Sequence, residues 1–322
     1  MRLKLVRENT NFDFFGRWKL WLGISALMMM VALGSYLYQG LNFGIDFRGG
    51  TTLRTESAQP VDIGAYRGSL ETLGLGDISI TEVFDPNFRD DQNVAMIRIQ
   101  AQDDQEAVTV ETIETVQNGL RTVDPDMKFP SVESVGPKVS GELIKTAALA
   151  VVLAIGAVLI YIWLRFEWQF ALGAVAALVH DVVLTIGVFS ELQIKFDLAI
   201  IAALLTIVGY SLNDTVVVFD RVRENLRKYK KKPLNEVLNI SINETLSRTV
   251  MTSVTTLLAL ISLFVLGGDV IRGFVFAMIW GVIVGTYSSV FVASSILLYL
   301  GVKRDWSKTD PKATGQYANI DA

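Results

Sequence analysis

LAIIAALLTIVGYSLNDTVVVF, residues Leu198–Phe219, is the stretch on which the reading of this chain turns. It stays apolar over nearly the whole of the ~20 residues that cross the hydrocarbon core of a bilayer as a helix. Asp214 interrupts it. A charge at that depth costs at least ~2.5–3.5 kcal/mol on insertion scales, so it marks a functional site with a partner to be named. Gly209, Tyr210, Ser211 and Asn213 lie just before it and gather the polar groups into one patch.

Five more stretches share this character, at about 18–38, 143–163, 168–190, 246–266 and 272–300. The last is long enough to tilt or to run on into water. Half of the 322 residues are hydrophobic (51%), and the long uncharged runs alternate with polar blocks. That is the pattern of an integral membrane protein rather than of a large soluble core. The chain has no cysteine, so disulfides are excluded and the redox compartment is not readable from them.

Lys and Arg near span ends set the orientation. They cluster at Arg2, Lys4, Arg7, Arg17 and Lys19, then at Arg221, Arg223, Arg227, Lys228, Lys230, Lys231 and Lys232, and again at Lys303, Arg304, Lys308 and Lys312. With six spans all three clusters fall on one side, expected to be the cytoplasm. Residues 40–138 carry 17 acidic against 8 basic side chains, a net of −9, and belong outside. Ala32-Leu33-Gly34 loosely imitates a signal-peptide cleavage site, but the apolar run Trp18–Leu37 is long for such a segment.

The expected division is residues 1–38 for the cytoplasmic N-terminus and first span, 39–138 for a periplasmic domain, 139–302 for spans two to six with a basic cytoplasmic loop at 221–246, and 303–322 for a cytoplasmic tail. Within the external block, Gly50–Ser57, Asp77–Phe84, Val94–Ala101 and Met127–Val135 read as strands, with a turn at Pro86-Asn87. Val61–Leu73 and Asp104–Val123 have helical spacing. The resulting β-α-β-β-α-β order predicts a small α+β, ferredoxin-like domain attached to six transmembrane helices. Between the fourth and fifth spans, Pro233 is placed to start a short amphipathic helix (Leu234, Val237, Leu238, Ile242) lying on the inner leaflet.

His180-Asp181 sits about 13 residues into the third span, roughly 20 Å deep and so near mid-bilayer. The fifth span is too short if limited to its clean run, Leu257–Leu266, and must take in Arg248, Thr249, Thr252, Ser253, Thr255 and Thr256. Of these, Arg248, Thr252 and Thr255 are spaced i, i+4, i+7, which predicts a polar stripe facing protein or water. In low dielectric an isolated Asp214 keeps its proton. A guanidinium about 4 Å away, at an effective dielectric near 20, favours the ionised form by about 4 kcal/mol. A few ångströms of helix movement therefore switch the carboxylate between two states, as coupling to a proton gradient requires. Plainer roles remain open: snorkelling for Arg248, hydrogen bonding to Ser or Thr for Asp214, and packing or hydration for Asp181. His180 has no second ligand at i+3 or i+4, so a metal site is not expected. Gly281, Gly285, Ser289 and Ala293 recur every four residues, a small-residue ridge for internal packing or for a partner helix.

No P-loop and no His-Glu-x-x-His is present, and Gly209–Asn213 lacks the second Gly of a serine-nucleophile elbow. Asp214 follows Leu212-Asn213 rather than the Gly-x-Gly of intramembrane aspartyl proteases. No enzymatic activity and no cofactor is expected.

The motifs NFGIDFRGGT (Asn42–Thr51), VGPKVSGEL (Val135–Leu143), RFEW (Arg165–Trp168) and ALVHDVVLT (Ala177–Thr185) resemble the SecF branch of the SecD/SecF protein-export family, relatives of resistance-nodulation-division transporters. VGYSLNDTVVVFDRVREN (Val208–Asn225) and LSRTVMTS (Leu246–Ser253) extend the likeness over nearly the whole chain. Ser140 departs from the Gly often found there. The resemblance implies an inner-membrane subunit that pairs with SecD to complete twelve helices. It also implies association with the SecYEG channel and use of the proton motive force to draw unfolded polypeptides outward, with no nucleic-acid partner. The family's essential intramembrane Asp and Arg fall on Asp214 and Arg248, with Ser211, Asn213, Thr252 and Thr255 as supporting polar residues and Asp181 as a further proton-coupling candidate. A non-conducting scaffold and a small-molecule efflux subunit are the competing readings.

Overall fold

A computed structural model describes residues 10–302 apart from 72, 76–77, 86–87, 90, 101–108 and 136. The basic residues Arg2, Lys4, Arg7, Lys303, Arg304, Lys308 and Lys312, and the expected Pro86-Asn87 turn, lie outside the described residues.

Among the described residues six helices are long and apolar enough to cross a membrane. They are α1 (Trp18–Gln39), α5 (Pro137–Arg165), α6 (Trp168–Glu191), α7 (Leu198–Lys228), α8 (Leu234–Leu266) and a final span of α9 (Asp269–Ser288), a π-turn (Ser289–Ala293) and α10 (Ser294–Leu300). α6 and the final span have 61% of their most apolar window buried inside the chain, against 11% for α5 and α8. The centre is therefore α6, α7 and the final span, with α1, α5 and α8 outside them. Apolar side chains cover the outer helices, as a hydrocarbon solvent permits.

Small residues let the central helices approach. A Cβ on Gly281 would run into the Ile207 side chain of α7, and one on Gly187 into Ala32 of α1. Gly285 faces Ser211 closely, while Ser289 and Ala293 are buried, the latter with its carbonyl against Gly173 of α6. The small-residue ridge thus packs internally against α7 and α6.

The sheet has the order β2-β3-β1-β4, with all neighbours antiparallel. β1 is Gly50–Ser57, β2 Ile78–Val83, β3 Asn93–Gln100 and β4 Lys128–Val135, with helices α3 (Ile63–Glu71) and α4 (Val110–Arg121) between them. This is the split βαββαβ arrangement. Alternation along β1 and β3 turns Leu53, Ile97 and Ile99 onto Tyr66, Leu70, Val116 and Leu120, which form a core separate from the helical one. The described part of the second helix begins at Val110 rather than Asp104, where Thr109 Oγ1 accepts from the Thr112 N–H at 3.2 Å as its cap.

Two features depart from expectation. A short helix, α2 (Ile45–Arg48), fills the link between α1 and β1. The amphipathic segment after Pro233 is not a separate surface helix: α8 runs unbroken for 33 residues from Leu234. Its first turns bury Val237, Leu238 and Ile242 against Val218, Val222 and Leu226 of α7 and Phe15. An apolar stripe that reads as membrane-facing is covered because α7 itself continues to Lys228 and offers a matching stripe. Asn243 on the same helix accepts from the Phe12 N–H and donates to the Phe12 carbonyl (2.8 and 2.9 Å), pinning the N-terminal segment across it.

Candidate functional site: a buried carboxylate network

Asp181 and Asp214 are both buried, at 1% and 3% exposure, where α6, α7 and the final span meet. Their surroundings differ. Asp181 Oδ2 accepts from Ser211 Oγ at 2.6 Å and from Ser288 Oγ at 2.8 Å, and Oδ1 lies 3.0 Å from His180 Nδ1. One carboxylate thus ties three helices together. Its donors satisfy a group that would be costly to bury alone.

His180 Nε2 is buried and has no partner among the described residues. The imidazole stacks on Tyr287 (centroids 6.0 Å apart, planes at 28°), whose hydroxyl is 3.0 Å from Ser25 Oγ and 3.3 Å from the Trp21 carbonyl of α1. The polar core so reaches from α7 through α6 and α9 to α1.

Asp214 lies one turn beyond Ser211, and its Oδ2 is buried without a hydrogen-bond partner among the described residues. Thr249 Oγ1, on α8, is another buried atom in that condition. Arg248 is exposed on α8 and makes no ion pair with Asp214 among the described residues. Asn213 is exposed, Thr252 half-buried and Thr255 exposed. The two threonine hydroxyls donate back to their own helix, to the carbonyl of Thr249 at 2.9 Å and of Met251 at 2.9 Å. The side of α8 turned inward is instead Thr245, Thr249 and Ser253, with Ser253 Oγ 2.7 Å from Thr286 Oγ1 of α9.

Of the residues singled out in the sequence, the fold joins Asp181 to Ser211 and His180, sets Asp214 next along the same helix, and leaves Thr252 and Thr255 outside the network. Ser288, Tyr287 and Ser25 are not anticipated, and Thr249, read from the sequence only as a polar residue within the fifth span, is buried. The run Thr286-Tyr287-Ser288-Ser289, four polar residues inside an apolar span, is the signal that points to two of them.

A second constellation sits at the end of α7 nearest the sheet. Phe43 and Phe196 form a parallel bridge, with the Gly44 N–H donating to the Phe196 carbonyl and the Phe196 N–H to the Asn42 carbonyl, both at 2.8 Å. The Asp197 carboxylate accepts from the Ile200 N–H at 3.3 Å, as the N-cap of α7. Burial pushes this carboxylate above its ordinary range, and the nearby charge of Asp46 adds to the rise, whereas Arg98 of β3 opposes it.

A family model for the SecD/SecF C-terminal region of protein-export membrane proteins matches residues 115–303, and one for the SecD/SecF GG motif matches residues 39–61. This chain belongs to the SecD/SecF family. It is 65% identical to the protein translocase subunit SecF of Cereibacter sphaeroides, over 100% of this chain and 99% of that one. It is 61% identical to the SecF of Rhodobacter capsulatus, over 96% and 95% of the two chains. Among solved structures it is similar to the translocon-associated membrane protein SecDF of Thermus thermophilus, at a TM-score of 0.80 and 35% identity, over 93% of this chain. The chain spans 40% of that SecDF chain's length. A SecDF structure in the super-membrane-facing form matches at a TM-score of 0.68 and 36% identity. The GG-motif match includes Asn42, Phe43 and Gly44, which bridge to the α6–α7 link, and Asp46, whose carboxylate accepts from the Leu198 N–H at the start of α7.

Proposed function

We propose that the chain is an accessory subunit of the bacterial Sec translocase that works with SecD and spends the proton motive force on export of unfolded proteins through the SecYEG channel. The support from relatives is full-length similarity to SecF proteins. The observation that carries proton coupling is the contrast between the two buried aspartates. Asp181 accepts from two serine hydroxyls and lies 3.0 Å from His180 Nδ1, while Asp214, one turn along from Ser211, has a buried oxygen with no partner among the described residues. A carboxyl group without donors in an apolar interior favours the neutral form, and approach of the Arg248 guanidinium favours the anion. Movement of α8 against α7 then sets whether Asp214 holds or releases its proton, with Ser211 and Asp181 as the neighbouring acceptors. Each charge that crosses gains ~2.3 kcal/mol per 100 mV.

In this reading both termini are cytoplasmic and the sheet domain projects to the periplasm, where the exported chain emerges. Asn213, Thr252 and Thr255 lie outside the buried core, as does Arg248. The test compares proteoliposomes holding the chain with its SecD partner, wild type against Asp214→Asn. Proton flux and proton-dependent stimulation of export are both expected to be lost while the complex still assembles. Normal export by that variant in energised vesicles would refute the proposal. A scaffold role has less support, because the ridge it would use is occupied by Ile207 and Ser211 of the chain itself.

A further inference from the structure

At the end of the bundle away from the sheet, the α5–α6 turn and the outer part of α7 enclose a cavity of about 430 Å³. It is lined by Arg165, Asp220, Arg223, Glu224 and Arg227. Its charges are unbalanced. The Arg165 and Arg223 guanidiniums lie over the same buried Phe166 ring, 5.1 and 6.0 Å from its centroid, and an Arg223 Nη donates to the Arg165 carbonyl at 3.5 Å. Arg165 pairs with Asp220 at 3.3 Å. The Glu224 carboxylate is engaged by Arg221 at 2.6 Å. Arg227, one turn beyond Arg223, has no ion pair among the described residues.

The lining holds three guanidiniums against two carboxylates, Asp220 paired with Arg165 and Glu224 engaged by Arg221, so it keeps an excess positive charge that the ring and a further anion would offset. The aromatic face fixes two of them, and guanidinium forks match phosphate oxygens.

The cavity also stands at a particular depth. α5 ends at Arg165 and α6 begins at Trp168, so the turn between them marks a membrane–water boundary. Trp168 is half-exposed there, as aromatic residues are at headgroup level. Tyr161, one turn before Arg165 on the same side of α5, is exposed, and Leu164 is 83% exposed. An apolar wall therefore runs from the guanidiniums into the hydrocarbon. Basic pockets between spanning helices at this level hold anionic lipid headgroups.

We propose that this cavity binds the phosphate of an anionic phospholipid whose acyl chains lie along Tyr161 and Leu164. Arg223 and Arg227 grip the phosphate, and Arg165 closes it from the α5 side. The site shares no residue with the carboxylate network and does not depend on how protons move there. Free phosphate would meet the same guanidiniums but would leave the apolar wall uncovered.

The test uses the full chain with its membrane partner in nanodiscs of phosphatidylglycerol or phosphatidylcholine, followed by native mass spectrometry of retained lipid. Phosphatidylglycerol is expected to stay bound to wild type. Arg223→Gln and Arg227→Gln should each weaken retention roughly tenfold, about one charge-assisted hydrogen bond's worth, and Arg227→Lys much less. Retention unchanged in the Arg223→Gln, Arg227→Gln double variant would overturn the site. So would displacement of the lipid by inorganic phosphate, which marks a free-anion site, or loss of the partner subunit with lipid still bound, which marks an acidic protein surface. If the double variant fails to fold, exposed Arg227→Gln alone, set against Arg227→Lys, still decides.

Discussion

The Asp46 carboxylate accepts a hydrogen bond from the Leu198 backbone N–H at 3.0 Å, so the segment leading into the sheet caps the helix that carries Asp214. Helix N-termini present unsatisfied N–H groups and a partial positive charge, and a carboxylate answers both. The segment before the sheet is thereby joined to the start of α7 by a side chain as well as by the Phe43–Phe196 bridge.

Removing that cap has a defined cost. Asp46→Ala is expected to destabilise the protein by roughly 0.5–2 kcal/mol, the usual range for a lost N-cap acceptor. Asp46→Asn, which keeps an acceptor oxygen, is expected to restore most of it. Thermal unfolding in detergent of the two variants beside wild type provides the check; equal losses in both would show that charge, not capping, is what Asp46 supplies.

Asp197 gives a pH dependence of known sign. Burial raises its folded-state value above the ordinary 3.8, so between 3.8 and that raised value the folded protein binds more protons than the unfolded one. Stability from this group accordingly falls as pH rises through that window and is flat above it. Asp197→Asn keeps a good N-cap and cannot ionise. The expected result is a smaller fall in melting temperature with rising pH across the acidic range, read from melts at stepped pH. A slope identical to wild type would rule out Asp197 as its source.

Ser288 is one of the two serine hydroxyls that donate to Asp181. Ser288→Ala leaves a buried carboxylate under-satisfied, at a cost of about 1–3 kcal/mol. With the proposed relay through Asp181, proton flux in proteoliposomes should slow without vanishing, in contrast to Asp214→Asn. Unchanged flux at reduced stability would assign Asp181 a packing role only.

Gly281 has no space for a side chain beside Ile207. Gly281→Val is expected to destabilise by roughly 1–3 kcal/mol through overpacking. Adding Ile207→Ala should recover part of that, with a coupling of about 0.5–3 kcal/mol between the two sites. Strict additivity in the double-mutant cycle would mean that α7 and α9 do not meet at this point.

Six spans, the β-α-β-β-α-β order and the placing of Asp214 and Asp181 inside spans were legible because each rests on local composition. Hydrophobic run length, alternation and an isolated charge are properties of neighbours in the chain. The continuity of α8 was not legible, because Pro233 marks a helix start equally well for a short segment and a long one. The stripe Val237, Leu238 and Ile242 likewise gives no sign of whether lipid or α7 will cover it. Which side of α8 turns into the bundle was not legible either: Arg248, Thr252 and Thr255 share one stripe, Thr245, Thr249 and Ser253 another, and helical spacing alone does not choose between them.

By itself, then, the sequence determined which segments enter the membrane and that two carboxylates go with them, since burial of an apolar run needs no knowledge of its neighbours. Only the tertiary structure decided that Ser288 and Ser211 hold Asp181, that no such donor reaches Asp214 among the described residues, and that Asp46 caps the helix carrying Ser211 and Asp214. Those relations join residues more than a hundred positions apart, in some cases, and depend on the rotation of each helix about its axis. That rotation is fixed by close packing of small residues against their neighbours, which no single helix can specify alone.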